Sequence, residues 1–121
     1  MTATLPVAAH RQAIRADVAE VAAAMQDVFG QRITATIAGV RDPRAVGKWA
    51  RGERLPHPET ERRLREAMRV TELLLEVEPP TIVRAWFVGL NPDLGDRVPA
   101  LVVADDPAAV LGAARSFLAN G

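Results

Sequence analysis

Apolar residues in the first half of the chain recur at helical spacings. Ile14, Val18, Val21, Met25 and Val28 follow one another at intervals of four, three, four and three. That pattern predicts one helix face over about 8–29. Gly30 is a stop signal. Ile33, Ile37 and Val40 mark a second, short helix over 31–40, and Arg41-Asp42 forms a turn. Asp42 suits an N-cap and Pro43 a first helical turn, so a third helix is expected over 43–51. Within it Val46 and Trp49 lie three apart and share a buried face. Gly52 offers the stop, and Pro56 forbids an immediate restart. A long fourth helix is expected from Pro58 to about Val77, with Leu64, Met68 and Leu75 on its core side.

Glu78-Pro79-Pro80 interrupts the pattern, because a residue before proline disfavours the helical region. This divides the chain into an N-terminal region, 8–78, and a C-terminal region, 79–121. Thr81 to Val88 reads as helix, carrying Val83, Trp86 and Phe87. Gly89-Leu90-Asn91-Pro92 is a stop and turn, and 93–98 a loop. Leu101-Val102-Val103 has strand propensity, but no other segment offers a partner strand, so 99–104 is read as a short helix. Asp106-Pro107 opens a last helix to about Leu118, with Val110, Leu111, Ala114, Phe117 and Leu118 inward. The expected fold is all-α, an N-terminal helix-turn-helix bundle continuing through a long helix into a small C-terminal helical subdomain.

A length of 121 residues suffices for one modest domain, or for two small helical subdomains sharing a core. Hydrophobic residues make up 49%, which argues against disorder over most of the chain. Cysteine is absent, which excludes disulfides and thiolate metal sites and suits a reducing cytoplasm. No apolar run approaches the roughly 20 residues of a membrane span, and the N-terminus has no signal-peptide pattern.

Charge changes the picture. The formal net charge is zero, yet residues 1–70 hold 12 Arg or Lys against 8 Asp or Glu, a net of +4. Residues 71–121 hold 3 against 7, a net of −4. Ten of the fifteen cations lie between Arg32 and Arg69. The basic half suggests a polyanion partner and the acidic half a different one.

Arg44, Lys48 and Arg51 form a basic strip on the third helix, opposite its apolar anchor Trp49. A short, capped, basic helix of this kind suits a DNA major groove. Arg41 and Arg44, near its start, are placed for base edges, where arginine can grip guanine O6 and N7 together. Lys48, Arg51 and Arg54 are placed for phosphates. Thr34 and Thr36 can donate hydroxyls to the DNA backbone from the second helix, or serve as ordinary helix residues. On the fourth helix, Arg62, Arg63, Arg65 and Arg69 alternate with Glu59, Glu61 and Glu66. Glu59–Arg63 and Glu61–Arg65 have the favourable i, i+4 order of a solvated face. Catalysis is poorly supported. His10 and His57 have no nucleophile or metal-ligand partner at useful spacing, and neither a phosphate-binding glycine loop nor a Gly-x-Ser-x-Gly elbow is present. No cofactor is expected.

Two stretches resemble a known family. Gly30 to Glu53 resembles the Xre-type helix-turn-helix. Arg84 to Leu101, with Trp86-Phe87, Asn91-Pro92, Leu94-Gly95 and a downstream Pro99, resembles the toxin-binding domain of the MbcA/ParS/Xre antitoxins. Phe117 to Gly121 fits the end of that domain, and the likeness covers about residues 16–121. Leu101 to Asp106 departs from it, being more β-branched and acidic.

The resemblance implies an antitoxin of a type II toxin-antitoxin system. Its partner would be a RES-domain toxin that consumes NAD, and the antitoxin would cover that enzyme's active-site entrance. It also implies repression of the protein's own operon as a DNA-bound homodimer. On that reading Asn91, Leu94, Arg97, Phe117, Leu118, Asn120 and Gly121 are candidate toxin contacts, and Arg41, Arg44, Lys48 and Arg51 candidate operator contacts. The rival reading is a stand-alone helix-turn-helix regulator whose acidic half dimerises. From the residues alone, Phe117 and Leu118 are open to burial in their own subdomain or insertion into a partner.

Overall fold

The computed structural model of the chain describes the backbone of residues 7–120 and side-chain environments from residue 17 onward. The expectations for residues 1–6, for the side chains of His10 and Ile14, and for Gly121 lie outside the described residues. The fold is all-α. Among the described residues the one extended pairing is an isolated antiparallel bridge between Asn91 and Arg97.

The first helical stretch, Val7–Ala38, is broken at Gly30, whose φ of 77° and ψ of 171° lie outside any helix. It is therefore two helices, α1 (7–29) and α2 (31–38), as the apolar spacing and the glycine predict. Thr34 closes the junction. Its hydroxyl lies 2.7 Å from Gly30 O and 3.2 Å from Met25 O, so it ties the start of α2 to the end of α1 across the break.

Helix α3 (Arg44–Ala50) begins as its sequence predicts. Pro43 already has helical φ and ψ, and the Asp42 carboxylate accepts the Arg44 N–H at 3.0 Å. The α2–α3 turn is pinned from outside. Arg63 Nε donates to Ile37 O at 3.2 Å, covering a carbonyl at the end of α2. The chain leaves α2 through Gly39 at φ 78°, where a Cβ would lie 3.0 Å from the Arg63 guanidinium. The left-handed φ favours glycine there.

Helix α4 (Pro58–Leu75) follows, then α5 (Pro80–Val88), a 3₁₀ turn (Pro92–Leu94), the one-turn α6 (Pro99–Val102) and α7 (Pro107–Asn120). Residues 99–102 are thus helical despite their β-branched content. The α7 N-terminus is capped by Asp106, whose Oδ1 accepts the Ala109 N–H at 3.1 Å.

Burial shows why the pieces hold together. A small cluster unites Ala22 of α1, Ala35 and Ala38 of α2, Val46 and Trp49 of α3, and Leu64 of α4. Trp49 is 4% exposed, a core residue as expected. The small alanine side chains let the helices of this cluster approach closely. A larger cluster runs from Met25, Phe29 and Ile37 through Val70 and Leu74 to Val83, Phe87, Val103 and Val110. It crosses the Glu78-Pro79 break, so the two regions share one core.

The α4 core line differs in part from expectation. Leu64 is buried, but Met68 and Leu75 are only half-buried, and Ala67, Val70, Thr71 and Leu74 take the interior. Helix α4 packs against α1 on one side and α7 on another, which rotates the deepest line toward 67, 71 and 74. Likewise Val110, Ala113 and Ala114 form the buried face of α7, with Leu111, Phe117 and Leu118 on its flank.

Candidate nucleic-acid interface and partner surface

The basic residues of the second quarter of the chain gather around α3. Arg41, Lys48 and Arg54 line one shallow cleft of about 290 Å³, between α3 and the loop that follows it. Trp49 and Pro56 lie at its base, and both are buried. Among the described residues none of these three cations has a carboxylate within ion-pair distance.

Arg44 and Arg51 are differently placed. Arg44 Nε lies 3.1 Å from Asp42 Oδ1, and Arg51 Nε lies 2.9 Å from Glu53 Oε1. The side-chain hydrogen bond from Arg44 holds the Asp42 carboxyl below its usual range, and that from Arg51 does the same for Glu53. Both acids therefore stay ionised at neutral pH and screen the arginine beside them. All four side chains are solvated, so the pairs are readily exchangeable. A phosphate reaching Arg44 or Arg51 meets a carboxylate beside it, whereas Arg41, Lys48 and Arg54 have none within ion-pair distance among the described residues.

Thr34 cannot serve as a DNA contact. It is fully buried, and its hydroxyl is spent on the α1–α2 junction. Thr36 is exposed, and its hydroxyl donates back to Arg32 O at 3.2 Å.

Three of the α4 arginines, Arg62, Arg63 and Arg65, tie α4 to other parts of the fold. Arg62 pairs with Glu59 at 2.7 Å and also donates to Ala104 O at 3.1 Å, joining the start of α4 to the segment after α6. Glu59 thus pairs at i, i+3 with Arg62 and not with Arg63, which has turned to Ile37. Arg65 reaches Glu61 at 3.3 Å, the expected pair, and Asp17 of α1 at 2.6 Å. The Asp17 hydrogen bond raises the Arg65 pKa further.

Three of the resemblance-derived contact residues build a single loop. Asn91 is 9% exposed; its side chain accepts the Asp93 N–H at 3.0 Å, and its N–H donates to Arg97 O at 3.0 Å. Arg97 Nε donates to Leu94 O at 2.7 Å. Leu94 is 2% exposed and belongs to the large core. Asn91 and Leu94 therefore shape the loop from within, which corrects their placement as contacts. Leu94 plugs the core because the 3₁₀ turn points it inward. Arg97 alone of the three is exposed.

Phe117 and Leu118 are half-buried and pack against the core, with the Phe117 ring 6.3 Å from that of Trp86. Of the two options left open, burial in their own fold accounts for most of their apolar surface. Asn120 is exposed, and its amide lies 3.4 Å from Ser116 Oγ.

The chain was compared with family models, curated proteins and solved structures. None of them matches it.

Two features of those surfaces escape the sequence reading. Leu55 and His57 complete the basic cleft. In the C-terminal region a groove of about 380 Å³ is bordered by Leu90, Arg97, Val98 and Leu101, with Asp96, Asp105 and Asp106 along it. Leu90 is 73% exposed and Leu101 61%, large apolar side chains with no cover among the described residues. Leu101 sits in an apolar run whose other members, the β-branched Val102 and Val103, are buried. Nothing in the run distinguishes the one that faces out; the single helical turn of α6 decides it.

Proposed function

We propose that the chain is the antitoxin of a type II toxin-antitoxin pair. Its α2–turn–α3 unit binds operator DNA as a homodimer, and its C-terminal region neutralises a RES-domain, NAD-consuming toxin. The observation that carries this reading is the separation of two unlike surfaces. Arg41, Lys48 and Arg54, without an ion-pair partner among the described residues, line a cleft beside α3, while an apolar, acid-rimmed groove with exposed Leu90 and Leu101 lies in residues 90–106. A protein with one polyanionic and one protein partner needs this division. The resemblance of Gly30–Glu53 and Arg84–Leu101 to the MbcA/ParS/Xre antitoxins supplies the identity of the partners.

Truncating residues 117–121 would be a poor test, because Phe117 and Leu118 support the core. Leu90→Glu with Leu101→Glu is a cleaner one, since both side chains face solvent. Co-expressed with an adjacent RES-type reading frame, the wild-type chain should restore growth and co-purify with the toxin. The double variant should fold and bind DNA but fail to rescue. If the neighbour is harmless, or the wild-type chain never co-purifies with it, the antitoxin reading falls and a stand-alone regulator takes its place.

Asp42→Asn with Glu53→Gln gives a second expected result. Releasing Arg44 and Arg51 should strengthen binding to duplexes of any sequence by a few-fold at low salt. It should also steepen the salt dependence, because more cations then displace counterions. Titration of a labelled duplex at several salt concentrations reads both. Unchanged affinity and slope would mean that neither arginine faces DNA.

A further inference from the structure

We propose that two copies of the chain pair through the groove between α1 and α4, each laying its α1 on its partner's α4 about a two-fold axis that runs along the groove. The proposal rests on the homodimer in the reading above, and on neither its DNA nor its toxin.

Apolar patterning points to the face. The apolar line of α1 includes Val21 and Val28, and that of α4 includes Met68 and Leu75. Val18, Met25 and Leu64 on the same lines are buried, but these four are only half-buried. The members of each pair lie seven residues apart, so they share a side of their helix to within about 20°. Seven is also the repeat of a seam between two helices. Both helices therefore carry apolar side chains that the core of one chain covers only in part.

A groove of about 560 Å³ lies between α1 and α4. Val21, Ala24 and Met68 give it an apolar strip, and charged side chains stand on either side. An apolar centre within a polar rim is the usual build of a protein–protein interface.

The charges choose the occupant. Asp17 and Glu20 line the α1 side, and Arg65 and Arg69 the α4 side, where Glu72 is the one acid. The α1 side is thus negative and the α4 side net positive. A partner of one sign is repelled by one side or the other. A second copy, turned about an axis along the groove, offers the opposite sign to both, because α1 meets α4 twice. Turned about an axis across the groove, it would set α1 on α1, acid against acid. The charges therefore admit one of the two axes. In that isologous contact Glu20 meets the partner's Arg69, and Arg69 meets the partner's Glu20.

These two side chains are the ones open to such a pairing. Arg65 is already held by Asp17 at 2.6 Å and by Glu61 at 3.3 Å. Arg69 is 70% exposed, and the carboxylate beside it, Glu66, is 3.9 Å away. Glu20 is exposed and has no ion-pair partner among the described residues. No residue lining this groove also lines the α3 cleft or the groove beside Leu90 and Leu101. A dimer formed here leaves both of those surfaces open.

The test is sedimentation of the full chain, without other partners, over a range of concentrations. The wild type should be a dimer. Glu20→Arg and Arg69→Glu should each weaken it at least tenfold, because each sets two pairs of like charges face to face. An equimolar mixture of the two variants, one of them tagged, should recover wild-type affinity as a heterodimer. There the introduced arginine meets the introduced glutamate, and the native pair meets at the other contact. Recovery also shows that each variant is folded. If either variant alone dimerises as the wild type does, the dimer uses another face and the groove is the wrong assignment. If the variants stay monomeric in the mixture, the two charges act within one chain and the assignment is equally wrong. A wild-type chain that is monomeric at high micromolar concentration would remove the homodimer from the proposed function as well.

Discussion

Phe87→Ala is expected to destabilise the molecule as a whole by about 3–5 kcal/mol. Phe87 is fully buried. Its ring meets Phe29 of α1 edge-on at 5.0 Å and Trp86 at 5.3 Å, so it joins the C-terminal region to the N-terminal helices. Such pairs add about 0.5–1.5 kcal/mol beyond the area they bury. Truncation leaves a cavity at the meeting point of α1, α4 and α5. Circular dichroism should show the melting temperature falling on the order of 10–20 °C, in one transition. Two separate transitions, with the α1–α4 part melting at its wild-type temperature, would show that the regions unfold independently and that the shared core is energetically minor.

Gly30→Ala tests a different physical effect. No atom lies within 4 Å of where a Cβ would stand, so sterics with neighbours do not oppose the change. Its conformation does. At φ 77° and ψ 171° the residue occupies a region essentially reserved for glycine, and a side chain there costs about 1–3 kcal/mol. The chain can escape that strain only by continuing α1 straight into α2. This would break the Thr34 hydrogen bonds and pull Ala35 and Ala38 from Trp49. Either a loss of about 2 kcal/mol, or a rise in helicity with Trp49 exposed to quenchers, is expected. In the second case the basic cleft loses its support and duplex binding should fall with it. Wild-type stability, quenching and binding together would mean that the break at Gly30 is dispensable.

The two substitutions also separate what a linear reading can and cannot reach. The break at Gly30, the capped start of α3 at Asp42-Pro43 and the stop at Gly52 follow from local chemistry, and a local signal is all that a helix boundary needs. Trp49 was legible as core because one aromatic on a strongly basic helix has a single way to be buried. The neighbours of these elements were less legible. Met68 and Leu75 share a spacing with the deeper positions Ala67 and Leu74, so periodicity alone cannot choose among adjacent lines on α4. The choice depends on which helices lie against it.

The candidate sites divide in the same way. Charge asymmetry and the Arg41–Arg54 run pointed to the basic surface, and the cleft there includes three of those cations. Sequence spacing did not show that Arg44 and Arg51 are screened by Asp42 and Glu53 two residues away, because that depends on side-chain direction at the helix ends. In the C-terminal region the motif residues Asn91 and Leu94 are the scaffold of a loop, while the flanking Leu90 and Leu101 face solvent.

By itself, then, the sequence determined the all-α class, the helix boundaries and the segregation of charge. These depend on φ/ψ preferences, caps and composition, which act within a few residues. Tertiary structure decided that the regions on either side of Glu78-Pro79 share a core. It also buried Thr34 and Leu94, and it closed a loop over α3 into a cationic cleft. Those outcomes depend on contacts between residues far apart in the chain, such as Arg63 with Ile37, Arg62 with Ala104 and Phe29 with Phe87. No periodicity encodes such contacts, because each is set by how whole helices pack.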